Sequence, residues 1–216
     1  ISRVCGMLTT KGGTDKIIEY LGPGTRSISC TGKATITNMC AEMGATTSFF
    51  PFDERMVTYL RMTGRSHLAE LAEQYRDALV ADPEVEHDPK RVFDELIEID
   101  LSTLEPYIVG PRSPDVARPI SQLAKDLERG GWPSCIKVAL IGSCTNSSYE
   151  DIGRAAAVAA QAKSAGLKAQ CYFLITPGSD QIYQTIKRDG QLQLLESIGG
   201  TVLANACGPC IGQWKR

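Results

Sequence analysis

The sequence predicts an α/β fold with mostly parallel sheets. In the second half of the chain, short segments rich in aliphatic and aromatic residues alternate with segments that carry apolar residues at helical spacing. This strand–helix–strand–helix–strand order is typical of a parallel sheet covered by helices. The composition is that of a globular protein, since 43% of the 216 residues are hydrophobic and 22% are charged.

The elements of the first half follow from three local signals. Apolar and β-branched runs predict strands, apolar residues at helical spacing predict helices, and Asp or Ser just before such a segment predicts a cap. In chain order the predicted elements are a strand over 1–10, a helix over 32–43 ended by Gly44, a strand over 46–50, helices over 53–60 and 66–79, and a strand over 93–101.

Four prolines between residues 105 and 119 interrupt this pattern and predict a linker or the entry to a new domain. Beyond them the same signals apply. The predicted elements are a strand over 135–142, a helix over 149–165 closed by Gly166, a strand over 169–175, helices over 179–187 and 191–198, and a strand over 201–204.

The charge balance argues against nucleic acid or an anionic membrane surface as a partner. Lys and Arg number 23 against 25 Asp and Glu, which gives a formal net charge of −2 and a pI near 5.8. No apolar run approaches the roughly 18 residues that a membrane-spanning helix requires. No targeting segment is visible. Because the chain starts at Ile1 and stops six residues after Cys210, we expect it to be an internal piece of a longer polypeptide.

The eight cysteines predict free thiols in a reducing compartment rather than a disulfide framework. Five of them have apolar neighbours or lie within predicted elements, where an uncharged thiol packs as a small hydrophobe. These five are Cys5, Cys30, Cys40, Cys135 and Cys171. The remaining three, Cys144, Cys207 and Cys210, lie in loops among Gly, Asn, Ser and Thr residues.

These three cysteines follow two strands of the same predicted sheet. Cys144 comes after the strand over 135–142, and Cys207 and Cys210 come after the strand over 201–204. In parallel sheets, ligand sites lie beyond the carboxyl ends of the strands. Three thiolates that converge there suit a metal ion or an iron–sulfur cluster. On spacing alone, redox chemistry and buried thiols remain open alternatives.

The sequence gives less support to three other kinds of site, namely a redox-active dithiol, a structural zinc site and a phosphate-binding loop. A thioredoxin-like dithiol would need a helix that starts at the first cysteine of the CGPC motif, whereas Gly212 interrupts the few residues that follow it. Structural zinc needs a fourth ligand, and His67 and His87 lie outside the predicted sheet and resemble ordinary surface histidines. A phosphate loop over 27–34 lacks both the first Gly and the final Ser or Thr of that motif.

Two segments make the sequence recognisable. They are IGSCTNSSYED over 141–151 and ANACGPCIGQW over 204–214, and both resemble the aconitase family in its mitochondrial form. The segments SISCTG over 27–32 and NMCAEMGATT over 38–47 are similar to the same family, so the resemblance runs essentially end to end. Lys33 departs from the family pattern, which has an apolar residue there.

The resemblance implies a [4Fe-4S] hydro-lyase that interconverts citrate and isocitrate through cis-aconitate, a step of the tricarboxylic acid cycle. Cys144, Cys207 and Cys210 would hold three irons and leave the fourth open as a Lewis acid. Glu42 would interact with hydroxyl or water at that iron, and Asn38, four residues earlier on the same predicted helix face, would hydrogen-bond around the cluster.

The resemblance also implies an organisation. The fold would be three-layer α/β/α aconitase-like domains with mostly parallel sheets. Residues 1–104 would be part of one domain, and 105–216 would start the next. The histidines, the substrate-binding arginines and the serine base would come from the remaining domains of the same polypeptide. The full enzyme would be a monomer. It would lie in the mitochondrial matrix or, for a prokaryotic source, in the bacterial cytoplasm.

Three further residues are implied near the cysteines. Asn146 and Asn205 adjoin the ligand loops and are expected to orient them. The helix start at Ser148 is expected to favour an anionic ligand through its exposed N–H groups.

Overall fold

The computed structural model describes residues 1–213, without the side chain of Pro209, so Trp214 of the second motif lies outside the described residues. The chain divides into two compact units, Ile1–Asp126 and Leu127–Arg216. Two of its three sheets are parallel, and the predicted α/β class with mostly parallel sheets is confirmed. The predicted domain division between 104 and 105 stays a prediction. Among the described residues, no helix has both the length and the apolar character needed to cross a membrane.

The first unit contains short helices and two small sheets. Strands β1 and β2 pair in parallel, and β3 and β4 form an antiparallel pair. Its elements are α1 (Ser2–Leu8), β1 (Ile17–Glu19), α2 (Cys30–Met39), β2 (Thr47–Phe49), α3 (Glu54–Met62), α4 (Ser66–Gln74), α5 (Pro83–His87), α6 (Pro89–Val92), β3 (Tyr107–Val109) and β4 (Ala117–Pro119).

The second unit is a three-stranded parallel sheet with its crossover helices. The strand order is β5–β6–β7, the order of the sequence. Its elements, with the helix that crosses the unit boundary, are α7 (Leu123–Gly130), β5 (Val138–Gly142), α8 (Tyr149–Ser164), β6 (Tyr172–Thr176), α9 (Asp180–Arg188), α10 (Gln191–Ser197) and β7 (Gly200–Val202). The elements predicted for this half are confirmed, with their ends shifted by at most three residues.

A single hydrophobic core holds this second unit together. Helices α8, α9 and α10 all contribute fully buried side chains to it, and alternate residues of the strands pack against them. The buried members are Ile152, Ala156, Ala159, Ile175, Ile186, Leu192 and Leu195. The parallel pairing of the strands sets their register, and the three helices pack against the sheet through this core.

The predicted strand at the start of the chain is wrong, because residues 2–8 form helix α1. Val4 and Cys5 are buried, and Ile1 and Leu8 pack against the same core cluster. Positions 1, 4, 5 and 8 make a helical stripe rather than a strand face. The apolar run was therefore the buried face of an amphipathic helix.

Two other expectations for the first unit differ from the structure. Residues 93–101 form no strand, so that prediction is wrong, although Ile99 packs against the core cluster of the first unit. The segment over 105–119 is not a linker, since it contains β3 and β4 paired from Tyr107 opposite Pro119 to Val109 opposite Ala117, while its alternative, the entry to a new domain, stays a prediction. Its prolines lie in the turn or at strand ends, where a missing N–H removes no ladder hydrogen bond.

The predicted helix over 32–43 is shorter and begins earlier. It starts at Cys30 because the Ser29 hydroxyl accepts a hydrogen bond from the N–H of Gly32 at 3.1 Å. After Met39 the chain continues as a 3₁₀ turn over Cys40–Met43. Gly44 ends it in the left-handed conformation, with φ of 74°, as predicted.

Candidate metal centre

The second unit brings the ends of its three strands to one edge. Gly142 at the end of β5 lies opposite Thr176 at the end of β6, and the N–H of Leu203 after β7 donates to the carbonyl oxygen of Ile175 at 2.8 Å. The loops that follow β5 and β7 carry the three candidate cysteines. The sheet therefore positions both cysteine loops, as the sequence predicted.

The loop after β5 begins with an unusual backbone path. Gly142 has φ of 120°, and a Cβ atom there would lie 1.9 Å from the carbonyl oxygen of Thr176. Only glycine permits this close approach. Ser143 follows with φ of 74°, and its N–H donates to the same carbonyl oxygen at 3.1 Å. The chain thus turns sharply over the end of β6 just before Cys144.

The loop after β7 is folded around Gly208, which is buried. The N–H groups of Ile211 and Gln213 both donate to its carbonyl oxygen, at 3.2 and 2.9 Å. Cys207 directly precedes this turn, Cys210 lies within it, and both are exposed. The turn therefore leaves both thiols free of the protein core.

The two cysteine loops meet at one contact. Oγ of Ser143 lies 3.1 Å from Sγ of Cys210, across 67 positions of sequence. Cys144 is the next residue after Ser143, is exposed, and has its Sγ 3.5 Å from Oγ1 of Thr145. Through this contact the structure brings Cys210 beside the segment that carries Cys144.

Asn205 ties the loop after β7 to the loop after β6. With its amide nitrogen toward the carbonyl oxygen of Pro177 (3.2 Å), its oxygen accepts from the N–H of Asp180 at 3.1 Å. Both partners lie at the start of α9 or just before it. These contacts fit the predicted orienting role of Asn205, although both Asn205 and Asn146 are exposed.

The predicted anion site at the start of α8 is not favoured. The Ser148 hydroxyl accepts from the N–H of Asp151 at 3.1 Å, and the Asp151 carboxylate accepts from the Ser148 N–H at 3.2 Å. This capping box uses helix-terminal donors and places a carboxylate at the terminus. The adjacent Glu150 is a second acidic residue of the first turn and is paired with Arg154 at 2.5 Å, so the carboxylate that would repel an anion at the helix start is that of Asp151.

Asn38 and Glu42 lie in the first unit, and the expectation that they share a helix face is wrong. Asn38 is in the last turn of α2, whereas Glu42 is in the 3₁₀ turn that follows. A 3₁₀ turn advances by about 120° per residue, so the four-residue α-helical spacing does not carry across the junction. Both side chains are exposed and accessible to a partner.

Lys33, the residue that departs from the family pattern, is only 3% exposed. Its ammonium group pairs with the carboxylate of Asp53 and lies 5.6 Å from the centre of the Phe50 ring. Asp53 in turn caps α3 by accepting from the N–H groups of Arg55 and Met56. A buried charge here is therefore paired, and it joins α2 to the start of α3.

The other cysteines have different surroundings. Cys5 and Cys40 are each 1% exposed, and burial raises the pKa of the Cys5 thiol. Burial likewise raises the pKa of the half-buried Cys30, and Cys171 is also half-buried. Cys135 is exposed because β5 begins only at Val138, so its predicted burial is wrong. His67 and His87 are exposed, as predicted.

The donor set at this edge fits an iron–sulfur cluster in its chemistry, because the two loops carry three exposed thiols, at Cys144, Cys207 and Cys210. Thr176, which pairs with Gly142 at the same edge, is 2% exposed, and its Oγ1 has no hydrogen-bond partner among the described residues, as expected where a bound group completes a site. The described residues contain no group of three His, Cys, Asp or Glu side chains assembled around one metal-ion position.

Sequence reasoning missed Ser143, although the residue lies inside the quoted motif. Its signal is positional, since it stands between the glycine that ends β5 and a candidate ligand. A serine in that position gives no sign of a left-handed backbone or of a contact with a loop 67 residues away.

Comparison with known proteins gives a match to one protein family and to several curated relatives. The family model described as "Aconitase family (aconitate hydratase)" matches residues 1–216. The chain is 58% identical to the probable mitochondrial aconitate hydratase of Dictyostelium discoideum, 57% to the mitochondrial aconitate hydratase of Aspergillus fumigatus and 55% to that of Schizosaccharomyces pombe. Each alignment covers all of this chain and 27% of the relative, so the chain spans about a quarter of the length of these curated relatives.

Proposed function

The chain belongs to the aconitase family, and from that membership we propose that it is the cluster-binding portion of an aconitate hydratase. The complete enzyme would interconvert citrate and isocitrate through cis-aconitate by removing and adding water. The relatives are much longer than this chain, so the proposal assigns the activity to a polypeptide of their length. The proposed compartment is the mitochondrial matrix, because the relatives are named as mitochondrial.

Three residues are proposed to hold a [4Fe-4S] cluster, namely Cys144, Cys207 and Cys210. The observation that carries this is the 3.1 Å contact between Ser143 and Cys210, which brings the loop of Cys144 and the loop of Cys210 together. Three thiolates on four irons leave one iron without a protein ligand, and when the cluster is bound that iron supplies a Lewis acid. The exposed positions of all three thiols leave them accessible to the cluster.

The role proposed for Glu42 is proton exchange with the substrate hydroxyl or with water. Its carboxyl group is exposed on a 3₁₀ turn that Gly44 terminates. Asn38 is proposed to donate a hydrogen bond near the cluster from the last turn of α2. The segment that carries both residues is anchored by Cys40 and Met43, which are buried in the core of the first unit.

Metal and activity measurements on one preparation test the proposed function. A full-length polypeptide that contains this chain would be purified anaerobically, analysed for iron, sulfide and zinc, and assayed with citrate. We expect a brown protein with iron and sulfide in equal amounts and measurable formation of isocitrate. A colourless protein with one tightly held zinc and no turnover would contradict the proposal and identify a structural zinc module instead.

A further inference from the structure

Ser143 has a backbone conformation that suits glycine. Its φ of 74° lies in the left-handed region, where a side chain is disfavoured. Its N–H is fixed by the carbonyl oxygen of Thr176 at 3.1 Å, and Gly142 before it makes the sharp turn. A glycine at 143 would therefore follow the same path with less strain, and the presence of serine points to a use for its hydroxyl group.

That hydroxyl group contacts a proposed cluster ligand. Its Oγ lies 3.1 Å from Sγ of Cys210, while its own backbone leads directly into Cys144. When the Cys210 thiol carries its proton, either the thiol or the Ser143 hydroxyl could donate this hydrogen bond. A thiolate carries no proton, so in the deprotonated form that binds iron the Ser143 hydroxyl must donate to the sulfur.

We propose that Ser143 is a positioning residue of the metal centre, whose hydroxyl holds the Cys210 thiolate and ties the loop after β7 to the loop after β5. This inference rests on the proposed function, because it assigns Cys210 to the cluster. A hydrogen bond to a ligand sulfur stabilises the charged ligand and restricts its motion. Ser143 thereby retains the cluster without ligating it.

Two substitutions separate the hydroxyl group from the backbone. Ser143→Ala removes the hydroxyl and keeps the disfavoured backbone, whereas Ser143→Gly removes the hydroxyl and relieves the backbone. Ser164→Ala is the matched control, because Ser164 is an exposed serine at the end of α8 that bonds only to the carbonyl oxygen of Ala160 among the contacts described. All three changes are made in the full-length polypeptide, which is loaded anaerobically with iron and sulfide.

The readouts are the rate at which visible absorbance is lost in the presence of an iron chelator and the midpoint of thermal unfolding. We expect the Ala and Gly variants to lose the cluster about tenfold faster or more than the wild type and the control. The Gly variant should unfold at or above the wild-type temperature, so faster cluster loss cannot be ascribed to a weaker fold. If the Ala variant does not fold, the rate of cluster loss from the Gly variant alone tests the role of the Ser143 hydroxyl.

Retention of the cluster in Ser143→Gly at the wild-type rate would overturn the proposal, since the hydroxyl would then be unnecessary. Failure of the proposed function itself would be recognised by another result. If the wild-type polypeptide itself takes up no iron and sulfide, the proposed function is wrong, and the assignment of Ser143 falls with it.

Discussion

At the scale of single residues, the surroundings of each thiol decide whether it can meet a metal. Cys5 and Cys40 are buried, and Sγ of Cys40 lies 3.0 Å from the hydroxyl oxygen of Tyr20. Such a thiol is part of the packed core. Cys144, Cys207 and Cys210 are exposed on loops, where a metal centre can reach them.

Serine substitutions at the non-ligand cysteines should therefore differ by burial. Cys5→Ser should lower the free energy of unfolding by about 1–3 kcal/mol, because it places a hydroxyl group in an apolar core. Cys135→Ser, at an exposed position, should stay within about 0.5 kcal/mol of the wild type. Urea unfolding of both variants measures this difference. Equal losses for the two would show that burial does not govern the effect.

Glu42 should matter for turnover rather than for assembly. In the full-length polypeptide, Glu42→Gln should keep iron and sulfide at wild-type levels and lower kcat by about 100-fold, because an amide cannot exchange the proton. The matched control is Glu70→Gln, an exposed glutamate on α4 of the same unit. If Glu42→Gln and the control both kept wild-type kcat, Glu42 would be a surface residue only.

At the scale of elements, the pair of Lys33 and Asp53 joins α2 to α3. The Lys33 side chain is 4% exposed, whereas that of Asp53 is 20% exposed and is also bonded to two backbone N–H groups. Loss of the carboxylate would leave a buried ammonium group without its ion-pair partner. Loss of the ammonium group would leave a carboxylate that still has partners.

This asymmetry predicts the order of stability among three variants. Asp53→Ala should cost about 3–5 kcal/mol, and Asp53→Asn, which keeps a capping side chain, should recover about 1 kcal/mol of that. Lys33→Met should cost less than either, about 1.5–3 kcal/mol. Chemical unfolding of the chain measures all three. A larger loss for Lys33→Met than for Asp53→Ala would contradict the account of this ion pair.

The elements that could be predicted from the sequence are those with a local signal. Asp53 caps α3, as its position predicted. The predicted cap at Ser66 is wrong, because Ser66 is the first residue of α4 and Arg65 precedes it as the cap, and this helix ends at Gln74 rather than at residue 79. The strand expected over 93–101 failed because pairing depends on a partner that no local pattern supplies. The α-helix through Glu42 failed because the change to a 3₁₀ turn after Met39 is set by packing, with Cys40 and Met43 both buried.

At the scale of the whole molecule, the positions of the cysteine loops could be predicted from the sequence, whereas the contact between these loops could not. The strand–loop order alone predicts that Cys144 and the two CGPC cysteines lie at one edge of the sheet. The tie between the loops could not be predicted, because it depends on the left-handed backbone of Ser143 and on a contact with Cys210 across 67 positions.

The chain on its own should lack the activity of the relatives. It spans 27% of their length, and the resemblance assigns the acid, base and carboxylate-binding residues to other regions. Residues 1–216, loaded anaerobically with iron and sulfide, should therefore give no detectable isocitrate from citrate. Measurable turnover by this chain alone would contradict that expectation. The full-length polypeptide, prepared in the same way, is the positive control.

The most direct test of the proposed metal centre is an iron and sulfide count on serine variants of all eight cysteines, made anaerobically in the full-length polypeptide. The account predicts about four irons and four sulfides for the wild type and for the variants at 5, 30, 40, 135 and 171. It predicts loss of the cluster in Cys144→Ser, Cys207→Ser and Cys210→Ser. A Cys144→Ser variant that retains about four irons, beside a Cys135→Ser variant that loses them, would contradict the ligand assignment.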